Sequence, residues 1–458
     1  MPDSATTLDA AAPPERAAPK FVHGSTARHV VVMTATASLG LMAIFVVDLL
    51  NLFYIARLGD TVLTAAVGYA STILFVTTSI CIGLMIATGA LCSRALGAGD
   101  RPLARRLAAS SIFWMFAVTM AVALVSLPLI RPMLAALGAM GRTLDVAATY
   151  LTIATPTVPV MGLGMAFAGV LRSVGDARRA MYVTLSGAVV AAVLDPLLIL
   201  FLGWGVPGAA VVLVFSRLVV AYVGYRGAVR LHDLVARPTL AAARADAPAI
   251  AAIAGPAVLA NLATPVAAGY MTAVLSPFGD AAIAANAVMG RLVPVCFGAV
   301  FALSGAVGPI LGQNLGAGRL DRVRRTLTDS FLLVTAYVVA VWVVLALARH
   351  GVVAVFGITD RGAAALVEFF CLFVAGSWVF HGLLFVANAA FNNLGFPLTS
   401  TGFNWGKATL GTVPFAMAGA AWWGAEGALA GQGVGAVLFG LAAVRAAYRA
   451  VGRLAVGD

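Results

Sequence analysis

The chain has 458 residues, 62% of them hydrophobic and 10% charged, with a mean hydropathy of +1.00 and a net charge of +11. A soluble protein of this length needs far more charge to cover its surface, so the composition excludes a soluble enzyme. The positive charge alone would suit a nucleic-acid binder, but its placement argues for topology instead.

Residues 1–28 are Ala- and Pro-rich and carry Asp3, Asp9, Glu15, Arg16 and Lys20. They lack the basic start, apolar middle and cleavage site of a signal peptide, and read as a disordered tail. Apolar runs follow, each long enough to cross a hydrocarbon core about 30 Å thick. The expected spans are 30–56, 62–93, 106–129, 146–171, 180–202, 207–225, 249–275, 281–312, 326–348, 363–391, 399–421 and 426–444. Helices are expected, because strands of a membrane barrel would alternate polar and apolar residues. Cys81, Cys92, Cys296 and Cys371 fall in or beside these runs without metal-ligand spacing, and read as small buried hydrophobes.

The connections divide into two alternating groups. The N-tail, 94–106, 172–179, 226–248, 313–325 and the C-tail together hold 21 of the 29 Lys and Arg residues. The other group holds five, and Arg217, Arg291 and Lys407 lie within spans, with the two arginines expected towards span ends. This bias predicts a bacterial inner-membrane protein with both termini in the cytoplasm.

The sequence also repeats itself. Leu58-Gly59-Asp60 answers Phe278-Gly279-Asp280, and Leu96-Gly97-Ala98-Gly99 answers Leu315-Gly316-Ala317-Gly318. Leu171-Arg172-Ser173-Val174-Gly175 answers Phe391-Asn392-Asn393-Leu394-Gly395, and the stretch from Gly203-Trp204 answers that from Trp423-Gly424. The offsets are 220, 219, 220 and 220 residues. The expected fold is therefore all-α: twelve transmembrane helices in two parallel six-helix repeats. The N-lobe is 29–225, the linker 226–248, the C-lobe 249–445 and the C-tail 446–458. Such a pair of lobes encloses a cleft that can open to either side in turn, which is the architecture of a secondary transporter.

At these residues the chain resembles the multidrug and toxic compound extrusion (MATE) transporters. The likeness rests on Asp48 followed by Leu58-Gly59-Asp60 and Ala65-Ala66-Val67-Gly68. It continues through Leu96-Gly97-Ala98-Gly99, Leu171 to Asp176, Leu194-Asp195-Pro196 and Gly205 to Ala210. The resemblance implies export of amphipathic, cationic compounds by proton or sodium antiport, no cofactor beyond the coupling ion, and no enzyme activity. Partners are then the bilayer and small organic cations, not nucleic acid, and the protein would act as a monomer. A lipid-linked sugar flippase of the same superfamily and a major-facilitator transporter are the alternatives. An intramembrane aspartyl protease is suggested only by Gly97-Ala98-Gly99-Asp100, whose repeat partner ends in Arg319 and lacks the acid.

A carboxylate at the centre of a spanning helix costs about 2.5–3.5 kcal/mol, so those present ask for a role. Asp48 and Asp195 lie in apolar runs, and Ala268 and Phe415 hold the equivalent places in the second half. The DinF-like branch of the family carries an acidic N-lobe pair at matching positions, which implies ion coupling here. That branch often has an Asn one turn before the second acid, where this chain has Ala191. Sodium needs several oxygen ligands, so the loss favours a proton. The branch also commonly has a proline early in the first span, and this chain has none there. Asn51, Tyr54, Tyr69, Ser71 and Met161 are candidate linings of the N-lobe cavity, and His381, Asn388 and Asn392 of the C-lobe cavity. Each competes with a plain packing role. His381 stands roughly where the NorM-like branch has an Asp, so a C-lobe cation site is not expected. Lys407 either snorkels or pairs with an acid.

Overall fold

A computed structural model describes residues 19–58 and 60–456, and contains helices but no strand among them. The membrane-spanning helices are α1 (Thr26–Ala56), α2 (Thr61–Gly97), α3 (Arg101–Ala136) and α4 (Gly141–Val174), then α5 (Ala177–Phe201) and α6 (Gly205–Leu231). The second half holds α7 (Leu240–Phe278), α8 (Asp280–Gly316), α9 (Leu320–Leu347) and α10 (Arg361–Leu394). The last long helix, Pro397–Ala455, leaves helical geometry at Trp423 and Gly424. It is therefore a hairpin of two spans, α11 (397–422) and α12 (425–455), which brings the spans to twelve.

The repeated motifs are helix punctuation. Asp60 Oδ1 accepts from Val62 N at 2.9 Å, and Asp100 Oδ1 accepts from Leu103 N at 2.8 Å. Each carboxylate caps the free N–H groups that begin a helix. Gly97-Ala98-Gly99-Asp100 is thus a turn and a cap, not a proteolytic centre.

Helices run past the expected span limits because their charged ends continue into the loops. Three expectations change. Residues 1–18 lie outside the described residues, but 19–28, expected as part of a disordered tail, are packed: Phe21 is 1% exposed and Ser25 caps α1. The linker is shorter than 226–248, since α6 runs on to Leu231 and α7 starts at Leu240. The 446–458 tail is an extension of α12 as far as Val456. A short helix, Arg349–Val355, joins α9 to α10.

The two halves meet at the end that carries the basic loops. A Cβ on Gly97 would collide with the backbone of Gln313, and one on Gly316 with that of Arg94, so α2 and α8 cross backbone to backbone. Reciprocal hydrogen bonds flank the crossing. Arg94 Nε donates to the Asn393 carbonyl at 2.8 Å, and Gln313 Nε2 donates to the Ser173 carbonyl at 2.6 Å. Those four residues are repeat equivalents, so the crossing lies on the pseudo-twofold axis. The segment before α1 closes the seam: Lys20 Nζ donates to the Gly175 carbonyl and Phe21 N to Gln313 Oε1, both at 2.9 Å. Further along, Phe45 on α1 meets Phe301 on α8 at 6.4 Å between ring centroids.

Candidate ion and substrate sites

The first-half acids are brought together by a distortion in α5. Pro196 has no N–H to offer the carbonyl of Ala192, and the helix widens to a π-turn over Pro196–Phe201. Asp195 stands at the start of that turn and is 1% exposed. Asn51 on α1 donates from Nδ2 to Asp195 Oδ1 at 2.9 Å. Asp48 lies one turn before Asn51 on α1 with its side chain exposed. Tyr150 on α4 packs against the neighbouring cluster of Ile55, Ile199 and Val206.

Arg217 was expected towards a span end. It lies instead inside the first half, 6% exposed, donating from Nη1 to the Ala154 carbonyl and to Thr157 Oγ1, both at 2.7 Å. The reason is a break in α4, which tightens to a 3₁₀ turn over Thr155–Thr157 beside Pro156 and Pro159. Arg217 docks on the carbonyl and hydroxyl presented at that break. Sequence reasoning did not single out Tyr150, and it misplaced Arg217. A cation at mid-span, opposite a Pro-x-x-Pro break, was the available signal.

The other first-half candidates disperse. Tyr54 packs beside Ile55 and Ile199, while the Tyr69 ring belongs to the cluster of Ala66, Leu134 and Leu151. Met161 packs against Cys81, Met115 and Ala166. Ser71 is exposed on α2. Of these candidates only Asn51 touches an acid.

In the second half, His381, Asn388 and Asn392 line one stripe of α10, as helical periodicity requires. His381 Nδ1, Asn388 Oδ1 and Asn392 Oδ1 are buried without a hydrogen-bond partner among the described residues. Lys407 begins a π-turn in α11 and forms no ion pair among the described residues. Glu368, the carboxylate of α10, is 2.9 Å from His350 near the opposite end from the basic loops.

At the basic end, Asp176 gathers the α4–α5 turn and the loop before α7. It accepts from the Arg179 backbone at 3.0 Å and lies 2.8 Å from His232 Nε2. Partial burial opposes its charge, but these hydrogen bonds and the Arg179 guanidinium outweigh it and hold the carboxyl below its usual range.

Comparison with known proteins fits this geometry. A family model described as MatE matches residues 36–197 and again 256–417, two matches displaced by the 220 residues of the internal repeat. The FAD transporter of Shewanella oneidensis is 28% identical over 418 residues, covering 90% of this chain and 92% of that one. The multidrug export protein MepA of Staphylococcus aureus is 24% identical over 356 residues, 76% and 77% of the two chains. Among solved structures, the Vibrio cholerae MATE transporter VcmN in its bent form has a TM-score of 0.86 at 24% identity, covering 93% of this chain and 97% of that one. An outward-facing multidrug resistance MATE transporter has a TM-score of 0.89 at 19% identity, covering 96% and 98%.

Proposed function

Because the chain belongs to the MatE family, whose members are membrane transporters and not enzymes, we propose that it is a proton-driven antiporter exporting amphipathic organic solutes. Asp48 and Asp195 are its coupling groups. The observation that carries this reading is the Asn51–Asp195 hydrogen bond, which ties a buried acid on α5 to the turn of α1 that also bears accessible Asp48. Protonation changes the charge of this cluster and hence how strongly α1 and α5 attract. An ion that binds one arrangement better shifts the balance between conformations. Solute and proton then exchange because each favours a different opening of the cleft.

Three further points belong to the same proposal. The ion is a proton rather than sodium, since Ala191 offers no oxygen one turn before Asp195. The 21-to-5 division of basic residues supports a bacterial inner-membrane protein with both termini in the cytoplasm; the protein is proposed to work as a monomer. The cleft, joined at the basic end, would then open outward. The relatives are named for FAD and for multidrug export, which supports an organic solute. The cationic preference implied by the resemblance finds no acidic partner in the second half.

The test is transport in proteoliposomes with proton and sodium gradients imposed separately. Efflux should follow the pH gradient with sodium absent. Strict dependence on sodium would contradict the reading of Ala191 and the proton assignment.

A further inference from the structure

Residues 19–25 precede the first half in sequence, yet they dock mainly on the second. Arg322 on α9 donates from Nη1 to the Gly24 carbonyl and from Nη2 to the Phe21 carbonyl, both at 2.9 Å, with the His23 carbonyl 3.3 Å from Nη2. Asn314 on α8 donates from Nδ2 to the same Phe21 carbonyl at 3.3 Å and accepts from Arg322 Nε at 2.9 Å. Bonds from a guanidinium are stronger than those between neutral groups. The Phe21 ring belongs to the apolar core of the second half, with Ile310 and Val323.

The hold on the first half is weaker. Lys20 Nζ donates to the Gly175 carbonyl at 2.9 Å, and the Phe21 ring lies so near that a Cβ on Gly175 would stand 2.8 Å from its Cζ. Gln313 joins the two sides: its Oε1 accepts from Phe21 N and its Nε2 donates to the Ser173 carbonyl. The segment is thus wedged between the α4–α5 turn and the α8–α9 pair, in the seam where the halves meet. Separation at the basic end has to pull Lys20 and Phe21 away from Gly175, because that is the side with fewer bonds.

The repeat shows which part of this seam is shared and which is not. Thr26 at the start of α1 donates to Asp329 on α9, and Ser110 on α3 donates to Asp246 on α7 at 2.7 Å. Thr26 and Asp246 are repeat equivalents, as are Ser110 and Asp329, so one contact is made twice with hydroxyl and carboxylate exchanged. Each copy ties the start of one half's first helix to the third helix of the other half. The polar seat of Phe21 is not repeated: Ala95 and Leu103 stand where the second half has Asn314 and Arg322.

We propose that residues 19–25 are a latch, carried by the second half, that keeps the basic end closed by resting on Gly175. The latch concerns closure whichever ion drives transport, and so stands apart from the coupling assigned to the first-half acids. The test is maleimide labelling of single cysteines in the full-length protein. Ser93→Cys reports the seam, since Ser93 is buried and faces Gly312 across it. Native Cys371, buried in the second half, reports general loosening. Phe21→Ala, Lys20→Met and Arg322→Ala should each speed labelling at position 93 several-fold and leave Cys371 at the parent rate. Phe21→Leu, which keeps apolar bulk in the seat, should return most of the protection. An unchanged rate at position 93 in folded Phe21→Ala and Arg322→Ala would overturn the proposal. So would equal acceleration at Cys371, the mark of a merely structural contribution. Lys20 is exposed, so Lys20→Met keeps the test open if the other two do not fold, and no acceleration there would then overturn the latch.

Discussion

Asp176 is a single side chain that holds a cap, a linker loop and an arginine together. Replacing it by Ala should destabilise the protein by about 1 kcal/mol through the lost cap alone. Its folded carboxyl is held below the usual range, so the stabilisation is complete above the unfolded value of about 3.9 and is lost as pH falls through the folded one. The melting temperature of Asp176→Ala should lie below that of the parent at neutral pH. The gap should narrow once the pH drops below about 4. A gap independent of pH would show that the carboxylate charge contributes nothing. At the same scale, sequence reading singled out Asp48, Asn51 and Asp195, because polar residues in an apolar run stand out, and Asn51 and Asp195 are hydrogen-bonded. It misplaced Arg217, because its docking point is set by the break in α4 at Thr155–Thr157 and not by distance along α6.

Among the elements, the crossing of α2 and α8 gives the clearest handle. Gly97 and Gly316 let two backbones touch, and any side chain there forces the helices apart. Gly97→Ala should therefore weaken closure at the basic end and favour the opposite opening. Ser93 faces Gly312 across the same seam. A lone Cys at position 93 should react with a membrane-permeant maleimide several-fold faster in a Gly97→Ala background than with Gly97 intact. Equal rates would mean that the crossing does not open. The repeat made this pair visible in the sequence as Gly97 and Gly316. The contact itself was not legible, since nothing local says which face of α2 meets α8. The packed segment at Lys20–Phe21 was hidden for the same reason: its partners Gly175 and Gln313 are remote in sequence and lie in different halves. α1 runs unbroken through Thr26–Ala56, as the absence of proline implied.

For the whole molecule, duplication supplies the frame and divergence supplies the function. Hydropathy located the spans because every backbone polar group in lipid must be satisfied within a helix. It could not fix their ends, where charged turns continue the helices beyond the apolar core, but it did separate 399–421 from 426–444, between which the helix breaks at Trp423–Gly424. The halves share that frame, yet the first holds Asp48 and Asp195 and the second holds Lys407 and His381. Ion coupling is proposed to reside in the first lobe. The decisive measurement is pH-gradient-driven efflux of ethidium, an amphipathic organic cation, from proteoliposomes containing the Asp48→Asn variant, alongside its binding without a gradient. Gradient-driven efflux should be abolished while binding remains within about twofold of the parent, a difference under 0.5 kcal/mol. Efflux at the parent rate from that variant would contradict the assignment of coupling to the first-half acids.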